Sequence, residues 1–245
     1  MCTITYLPTG RDTFILTSNR DESKIRPTYP PAIEDAGELK LLYPKDALAG
    51  GSWIGISSRN RIAGLMNGAF EKHEWKPPYR LSRGLVLLDL LKSNSLKTFI
   101  DDYPLSGIEP FTVIVYDAGS LTELSWDGLK KHIRQVDPEK AHIWSSASLY
   151  PKPVREKRER WFREWLNNHP QYNQEAILAF HRFGGEGDPE NDFVMNRYDI
   201  VQTVSITSIM KLPDRAQMTY VDLITNQTSE VSIPIDREWH LTEAV

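Results

Sequence analysis

Cysteine is almost missing from this chain: there is one in 245 residues, and it stands at position 2. A single thiol excludes an internal disulfide framework and fits a reducing compartment. Long apolar runs are missing too, since none approaches the roughly 20 residues a membrane helix needs. The N-terminus lacks the charged and apolar regions of a secretory signal, so the expectation is a cytoplasmic protein without membrane insertion. Neither sign of charge dominates. Lys and Arg total 29 against 33 Asp and Glu, a formal net charge of −4, which gives no global attraction to nucleic acid or anionic membrane. The six histidines show no metal spacing, and with one cysteine there is no zinc pattern and no call for a cofactor. Repeats, heptads and low-complexity tracts are absent, which leaves a purely scaffolding role without support.

What is present is a globular composition, 40 % hydrophobic and 25 % charged, in a length that suits one sheet-rich domain over residues 1–245. The chain is organised around its first residues. Cys2 stands directly behind the initiator methionine, where chance would put a lone cysteine in well under ~1 % of chains of this length. Trimming of Met1 would leave one residue carrying both a thiol and an α-amine, and the amine, with a pKa of about 7.7–8.0, can act as base toward its own side chain.

Thr3 to Leu7 alternates like a half-buried strand, Pro8-Thr9-Gly10 reads as a turn, and Asp12 to Ser18 as a returning strand. Such a hairpin brings Asn19, Arg20 and Asp21 back beside Cys2. An arginine next to a thiol lowers its pKa, and an aspartate can hold an ammonium by a charge-assisted hydrogen bond. A buried structural cysteine followed by an Arg-Asp surface turn is the competing reading of the same residues.

Further along, Lys24 to Lys45 is rich in proline, charge and glycine and reads as a long exposed excursion. Trp53 to Ser57 and Arg61 to Met66 read as a hairpin, with Gly50-Gly51 ahead of it marking a tight turn or a close backbone approach. Helices are predicted over Leu81 to Ser95, Leu96 to Asp102, Pro153 to Asn167 and Gln174 to Phe180. The basic residues of the third of these are read as a solvated face laced with glutamates. Strands are predicted over Phe111 to Tyr116, Leu121 to Trp126, His142 to Ser146, Ile200 to Met210, Gln217 to Ile224 and Ser229 to Ile233. Phe183 to Pro189 reads as a flexible acidic loop. Strands first, helices mid-chain and strands last suit an α+β sandwich.

Five stretches in order carry a resemblance: Cys2; Asn19-Arg20-Asp21-Glu22 with Arg26-Pro27; Ala49 to Gly55; Arg61 to Asn67; and Thr203-Val204-Ser205. Together they resemble the NRDE family, also called the transport-and-Golgi-organisation family. That family looks like a branch of the N-terminal-nucleophile hydrolases, close in layout to penicillin V acylase and bile salt hydrolase. The resemblance implies a four-layer αββα sandwich of two mainly antiparallel sheets.

It also implies roles for particular residues. Cys2 corresponds to the nucleophile, Arg20 and Asp21 to its supporting ions, and Asn67 to an amide donor at an oxyanion hole, the alternative being an Asn-Gly turn at a strand end. Arg197 falls near a second arginine of the acylases, though a surface salt bridge would serve equally. Asn19, Trp53 and Ser146 complete the candidate set as substrate-binding positions, with Ser146 standing where many relatives carry asparagine. The implied activity is hydrolysis of a non-peptide C–N amide bond in a small molecule. The alternative is a non-catalytic carrier of an apolar ligand, lipid- or haem-like. The sequence gives no indication of oligomeric state.

Overall fold

The structure, a computed structural model, describes residues 3–236; Met1, Cys2 and residues 237–245 lie outside the described residues. The described chain opens with a hairpin of β1 (Thr3–Gly10) and β2 (Thr13–Glu22). Its turn sits at Arg11-Asp12 rather than at Pro8-Thr9-Gly10. Asp12 takes φ 54° there, a left-handed conformation that aspartate tolerates. Tyr116 fastens it by donating its hydroxyl to Asp12 Oδ1 at 3.1 Å.

The supposed excursion after β2 is a second hairpin, β3 (Thr28–Ala36) and β4 (Leu39–Asp46). Proline content concealed it. β3 is an edge strand, and Pro30 and Pro31 fall where the pairing jumps from Tyr29 to Ala32, so no central ladder loses a donor. β4 alternates between two cores, with Leu42 on one side and Leu41 and Tyr43 on the other.

β5 (Ile54–Ser57) and β6 (Arg61–Asn67) follow, then α1 (Arg83–Lys92) and α2 (Leu96–Asp102), capped by the hydroxyls of Ser82 and Ser95. β7 (Phe111–Asp117), β8 (Ser120–Trp126) and β9 (Lys131–Val136) form a meander. The last of these is an exposed edge strand with no apolar alternation to announce it. β10 (His142–Ser145) precedes α3 (Lys152–Asn168) and α4 (Gln174–Phe183). The short β11 (Asn196–Arg197), then β12 (Val201–Lys211), β13 (Arg215–Asp222) and β14 (Gln227–Pro234), complete the described chain.

All strand pairs are antiparallel. One sheet runs β10-β1-β2-β12-β13-β14 with β11 beside β12, and the other runs β3 to β9 in sequence order. Ile4, Tyr6, Leu16 and Met218 of the first sheet meet Ile54, Ile56, Ile62 and Ile114 of the second in the central core. The outer face of the second sheet packs on α1 and α2 through Leu87, Leu91, Phe99 and Val113. The outer face of the first packs on α3 and α4 through Leu7, Ile15, Trp165 and Ile177. Each fully buried aliphatic side chain stabilises these layers by about 1.5–3 kcal/mol. The order of layers is therefore α-β-β-α. Among the described residues no helix is long and apolar enough to cross a membrane.

α3 departs from its expected amphipathic face. Arg158 is fully buried on the same stripe as Trp161 and Trp165, so one basic residue belongs to the interior. The glutamates do lace its wet side, in the i, i+4 ion pairs Lys152–Glu156 and Arg160–Glu164. The acidic loop is held by Asp192, whose carboxylate accepts the amides of Glu186 and Gly187 at 3.0 and 2.8 Å.

Candidate functional site

The last turns of β2 divide four successive polar residues between two environments, because strand side chains alternate with period two. Asn19 and Asp21 look toward the layer of α3 and α4, whereas Arg20 and Glu22 look toward the second sheet. Asn19 is fully buried. Its Nδ2 donates to the carbonyls of His181 and Phe193 at 3.2 and 2.6 Å. That fixes its Oδ1 as an acceptor for the His181 Nδ1–H. The remaining nitrogen, Nε2, then accepts from the Thr5 hydroxyl at 2.7 Å, so His181 is a neutral tautomer. Burial, followed by the nearby Arg158 charge, lowers its pKa to about 3.

Asp21 accepts the Tyr150 hydroxyl at 2.9 Å on Oδ2 and the Thr203 hydroxyl at 2.6 Å on Oδ1. The face of Tyr150 in turn carries the Arg158 guanidinium, 3.7 Å from the ring centroid. Arg158 also donates to the Thr3 hydroxyl and to the carbonyls of Asn191 and Asp192. Through these bonds the start of β1 and the carboxylate of Asp21 are fastened to one buried cation.

On the other face, Arg20 is 2 % exposed and lies 4.7 Å from the Trp53 ring centroid. It donates to Asp46 Oδ2 at 2.7 Å and to the Thr28 hydroxyl at 2.9 Å. Asp46 ends β4 and also forms an ion pair with Arg26, 2.8 Å from its Nε, while its Oδ1 accepts the amides of Leu48 and Ala49. Burial pushes the Asp46 carboxyl up, but the Ala49 amide and the guanidiniums of Arg26 and Arg20 outweigh it and hold the group below the usual aspartate value. Gly51 follows because the chain there runs against the N-terminus of α1: a Cβ would stand 2.4 Å from the Gly84 carbonyl carbon.

These segments enclose a cavity of about 530 Å³. Arg20, Trp53 and Asn67 line it together with Asp46, Arg83 and Glu109. Asn67 is the last residue of β6, and its amide has no hydrogen-bond partner among the described residues; only its carbonyl is engaged, by the Ser146 hydroxyl at 2.7 Å. Arg83 pairs with Glu109 at 3.0 Å, and burial lowers its pKa, opposed by the charge of Glu109.

The candidate residues therefore fall into groups. Arg20, Trp53 and Asn67 share the cavity. Asp21 and Asn19 are on the opposite face of β2. Ser146 lies on a second, smaller cavity behind Asn67. Arg197 ties loops together, donating to the carbonyls of Glu190 and Leu149 at 3.0 Å each and to Asn191 Oδ1 at 3.2 Å. Cys2 lies outside the described residues; its neighbour Thr3 pairs with Asn19 on one side and with Ser145 on the other.

Asp46, Tyr150, Arg158 and Glu109 were not anticipated from sequence. Asp46 falls one residue past the stretch read as exposed, Arg158 lies in a predicted helix whose basic residues were read as solvated, and Tyr150 and Glu109 are polar residues between predicted elements. No group of three or more His, Cys, Asp or Glu among the described residues is disposed to hold a metal ion. The chemistry on offer is a cavity with guanidiniums, one uncommitted side-chain amide and a firmly held carboxylate behind the strand.

Residues 1–231 match the family described as Transport and Golgi organisation 2. Nothing matches among curated proteins. Among solved structures, the chain is similar to the C2A mutant of a conjugated bile acid hydrolase from Clostridium perfringens. That likeness has a TM-score of 0.58 and 9 % identity, over 95 % of this chain and 92 % of the other. A second variant of that hydrolase gives 0.54 at 11 % identity, over 94 % and 92 %. An N-acylethanolamine-hydrolyzing acid amidase ortholog of Caenorhabditis elegans gives 0.58 at 12 % identity, over 87 % and 94 %. At such identities the likeness is one of fold.

Proposed function

The chain belongs to the Transport and Golgi organisation 2 family, and on that premise we propose that it is an N-terminal-nucleophile hydrolase of a small-molecule, non-peptide amide, with Cys2 as nucleophile. After removal of Met1, the Cys2 α-amine takes the thiol proton as Sγ bonds to the substrate carbonyl carbon. The C–N bond then breaks, the departing amine takes that proton, and water hydrolyses the thioester to release the acid and restore the thiol. Asn67 donates to the oxyanion, a contact of about 3–4 kcal/mol in such sites. Arg20 favours the thiolate, and Asp21 orients the α-ammonium from behind the strand. Trp53 forms a wall of the substrate cavity. Asn19 and Ser146 hold β1 and β6 in place rather than touching substrate, and Arg197 braces the loops behind Tyr150.

The observation that carries this reading is the meeting of Arg20 and Asn67 in one cavity, at the strand end where Thr3 pairs with Asn19. The solved bile acid hydrolase that this fold resembles is itself a C2A mutant, so a cysteine at the second position is common to both chains. The test is intact-mass detection of an acyl-enzyme with a reactive amide. Labelling is expected on the wild type and absent from Cys2→Ser and Cys2→Ala; equal labelling of all three rules the mechanism out.

A second reading, ligand carriage without chemistry, is favoured by Ser146, whose hydroxyl is committed to the Asn67 carbonyl at a position where the family resemblance implies asparagine. Native protein that retains Met1 by mass would favour it. The charged lining of the cavity argues for a ligand with polar groups rather than a wholly apolar one.

A further inference from the structure

The cavity that the proposed hydrolysis uses has an imbalance of charge. Four guanidiniums line it, those of Arg20, Arg26, Arg80 and Arg83, against three carboxylates. Asp46 takes Arg20 and Arg26, and Glu109 takes Arg83. Among the described residues Arg80 has no carboxylate partner: its donors go to the carbonyls of Ser106 and Pro104, and the side chain is exposed. Carbonyl oxygens stabilise a guanidinium without neutralising it, so one formal positive charge is left over in a partly enclosed space.

A second feature adds to the first. The opening turn of α1 lines the same cavity, and that turn holds no acidic residue. Acidic residues are the usual stabilisers of a helix N-terminus, where the amides lack helical partners and the dipole is positive. α1 instead carries Arg83 as its first residue, a cation where the helix field disfavours one. Burial compounds the cost, and Glu109 offsets it only in part. The N-cap hydroxyl of Ser82 serves the Leu85 amide alone. Two unfavourable placements of positive charge thus converge on one wall, and an anion bound there would relieve both.

We propose that the molecule bound in this cavity carries an anionic group, a carboxylate or a phosphate, on a part that does not react, and that Arg80, Arg83 and the first turn of α1 hold it. The proposal rests on the reading of the cavity as a substrate site and adds the substrate's charge class. Arg80 is the recruiting cation and Arg83 the positioned one. Selectivity is for charge over shape, since a neutral ligand leaves the excess cation uncompensated.

Calorimetric titration of the Cys2→Ala protein tests this without turnover. Three amides of similar chain length are compared: N-hexanoylglycine, with its carboxylate on the amine side; N-hexylsuccinamic acid, with it on the acyl side; and the neutral N-hexanoylethanolamine. At least one anionic amide is expected to bind about tenfold tighter than the neutral one, the order a charge-assisted contact supplies. The preference should shrink as salt is raised and be lost in Arg80→Gln, a change at an exposed side chain. Competition by acetate against inorganic phosphate then identifies which anion the wall suits. Equal affinities, a preference for the neutral amide, binding of none of the three, or a preference untouched by Arg80→Gln would overturn the proposal. Failure of Cys2 labelling in the wild type leaves this outcome standing, and would sink the hydrolase reading alone.

Discussion

Arg20 and Asp21 are neighbours in the chain and face opposite sides of β2: the guanidinium lies over Trp53 and grips Asp46, while the carboxylate takes the hydroxyls of Tyr150 and Thr203. A strand cannot present both to one side, because its side chains alternate. One ion therefore borders the cavity, and the other anchors the sheet to the helical layer. Each has its own consequence on substitution.

Replacing Arg20 by Gln leaves Asp46 with Arg26 as its remaining cation partner in the cavity and removes the stack on Trp53. Breaking a buried pair from one side is expected to cost about 3 kcal/mol. Urea unfolding of Arg20→Gln should show this loss, and Arg20→Gln with Asp46→Asn should recover part of it. A loss under about 1 kcal/mol would mean that the pair is not a stabilising one.

Tyr150→Phe removes the hydroxyl from Asp21 while keeping the ring under Arg158. The expected cost is about 1–3 kcal/mol, the range for a buried hydrogen bond to a charged acceptor. If Asp21 orients the α-amine of Cys2, the acid limb of the activity profile should move as well; a stability loss with an unmoved profile would confine Asp21 to the fold.

Stability should fall with acid because of His181. Its folded pKa, about 3, is below the unfolded value near 6.5, so between the two the unfolded chain binds the extra proton. The contribution is complete above pH 6.5 and declines by about 1.4 kcal/mol for each unit below it, until the folded ring protonates too. Unfolding free energies measured at pH 7 and pH 5 should differ accordingly, and His181→Gln should flatten that slope.

Gly51→Ala places a methyl 2.4 Å from the Gly84 carbonyl carbon and 2.6 Å from the Leu85 nitrogen, both backbone atoms that cannot step aside. The junction of β5 with α1 should loosen, at about 1–3 kcal/mol. Gly37→Ala is the comparison: that residue has φ +73° but meets nothing within 4 Å, so only backbone strain of about 1 kcal/mol is added. Thermal melting of the two variants separates crowding from conformational strain.

Much of the fold was legible in the chain itself. The spacing of Leu85, Leu88 and Leu91 announces α1, the run from Leu96 to Asp102 coincides with α2, and the alternation at Phe111 to Trp126 yields β7 and β8. Edge strands escaped notice. β3 accommodates two prolines at a bulge, and β9 has both faces largely wet, so neither shows the period-two pattern that burial imposes on inner strands.

The site was legible as residue types and illegible as an arrangement. Sequence alone determined that a lone cysteine at position 2 precedes a strand, that Asn19-Arg20-Asp21-Glu22 ends its partner, and that Gly50-Gly51 marks a tight turn or a close approach. Only the tertiary structure decided that Arg20 faces a cavity and Asp21 does not, and that Asp46, just past the stretch read as exposed, is the counter-ion of Arg20. It also placed Arg158 inside rather than on a wet helix face. The reason is range. Alternation and helical period are set by neighbours in sequence, whereas the partner of a buried charge is chosen by packing between layers, which brings together residues that no local pattern relates.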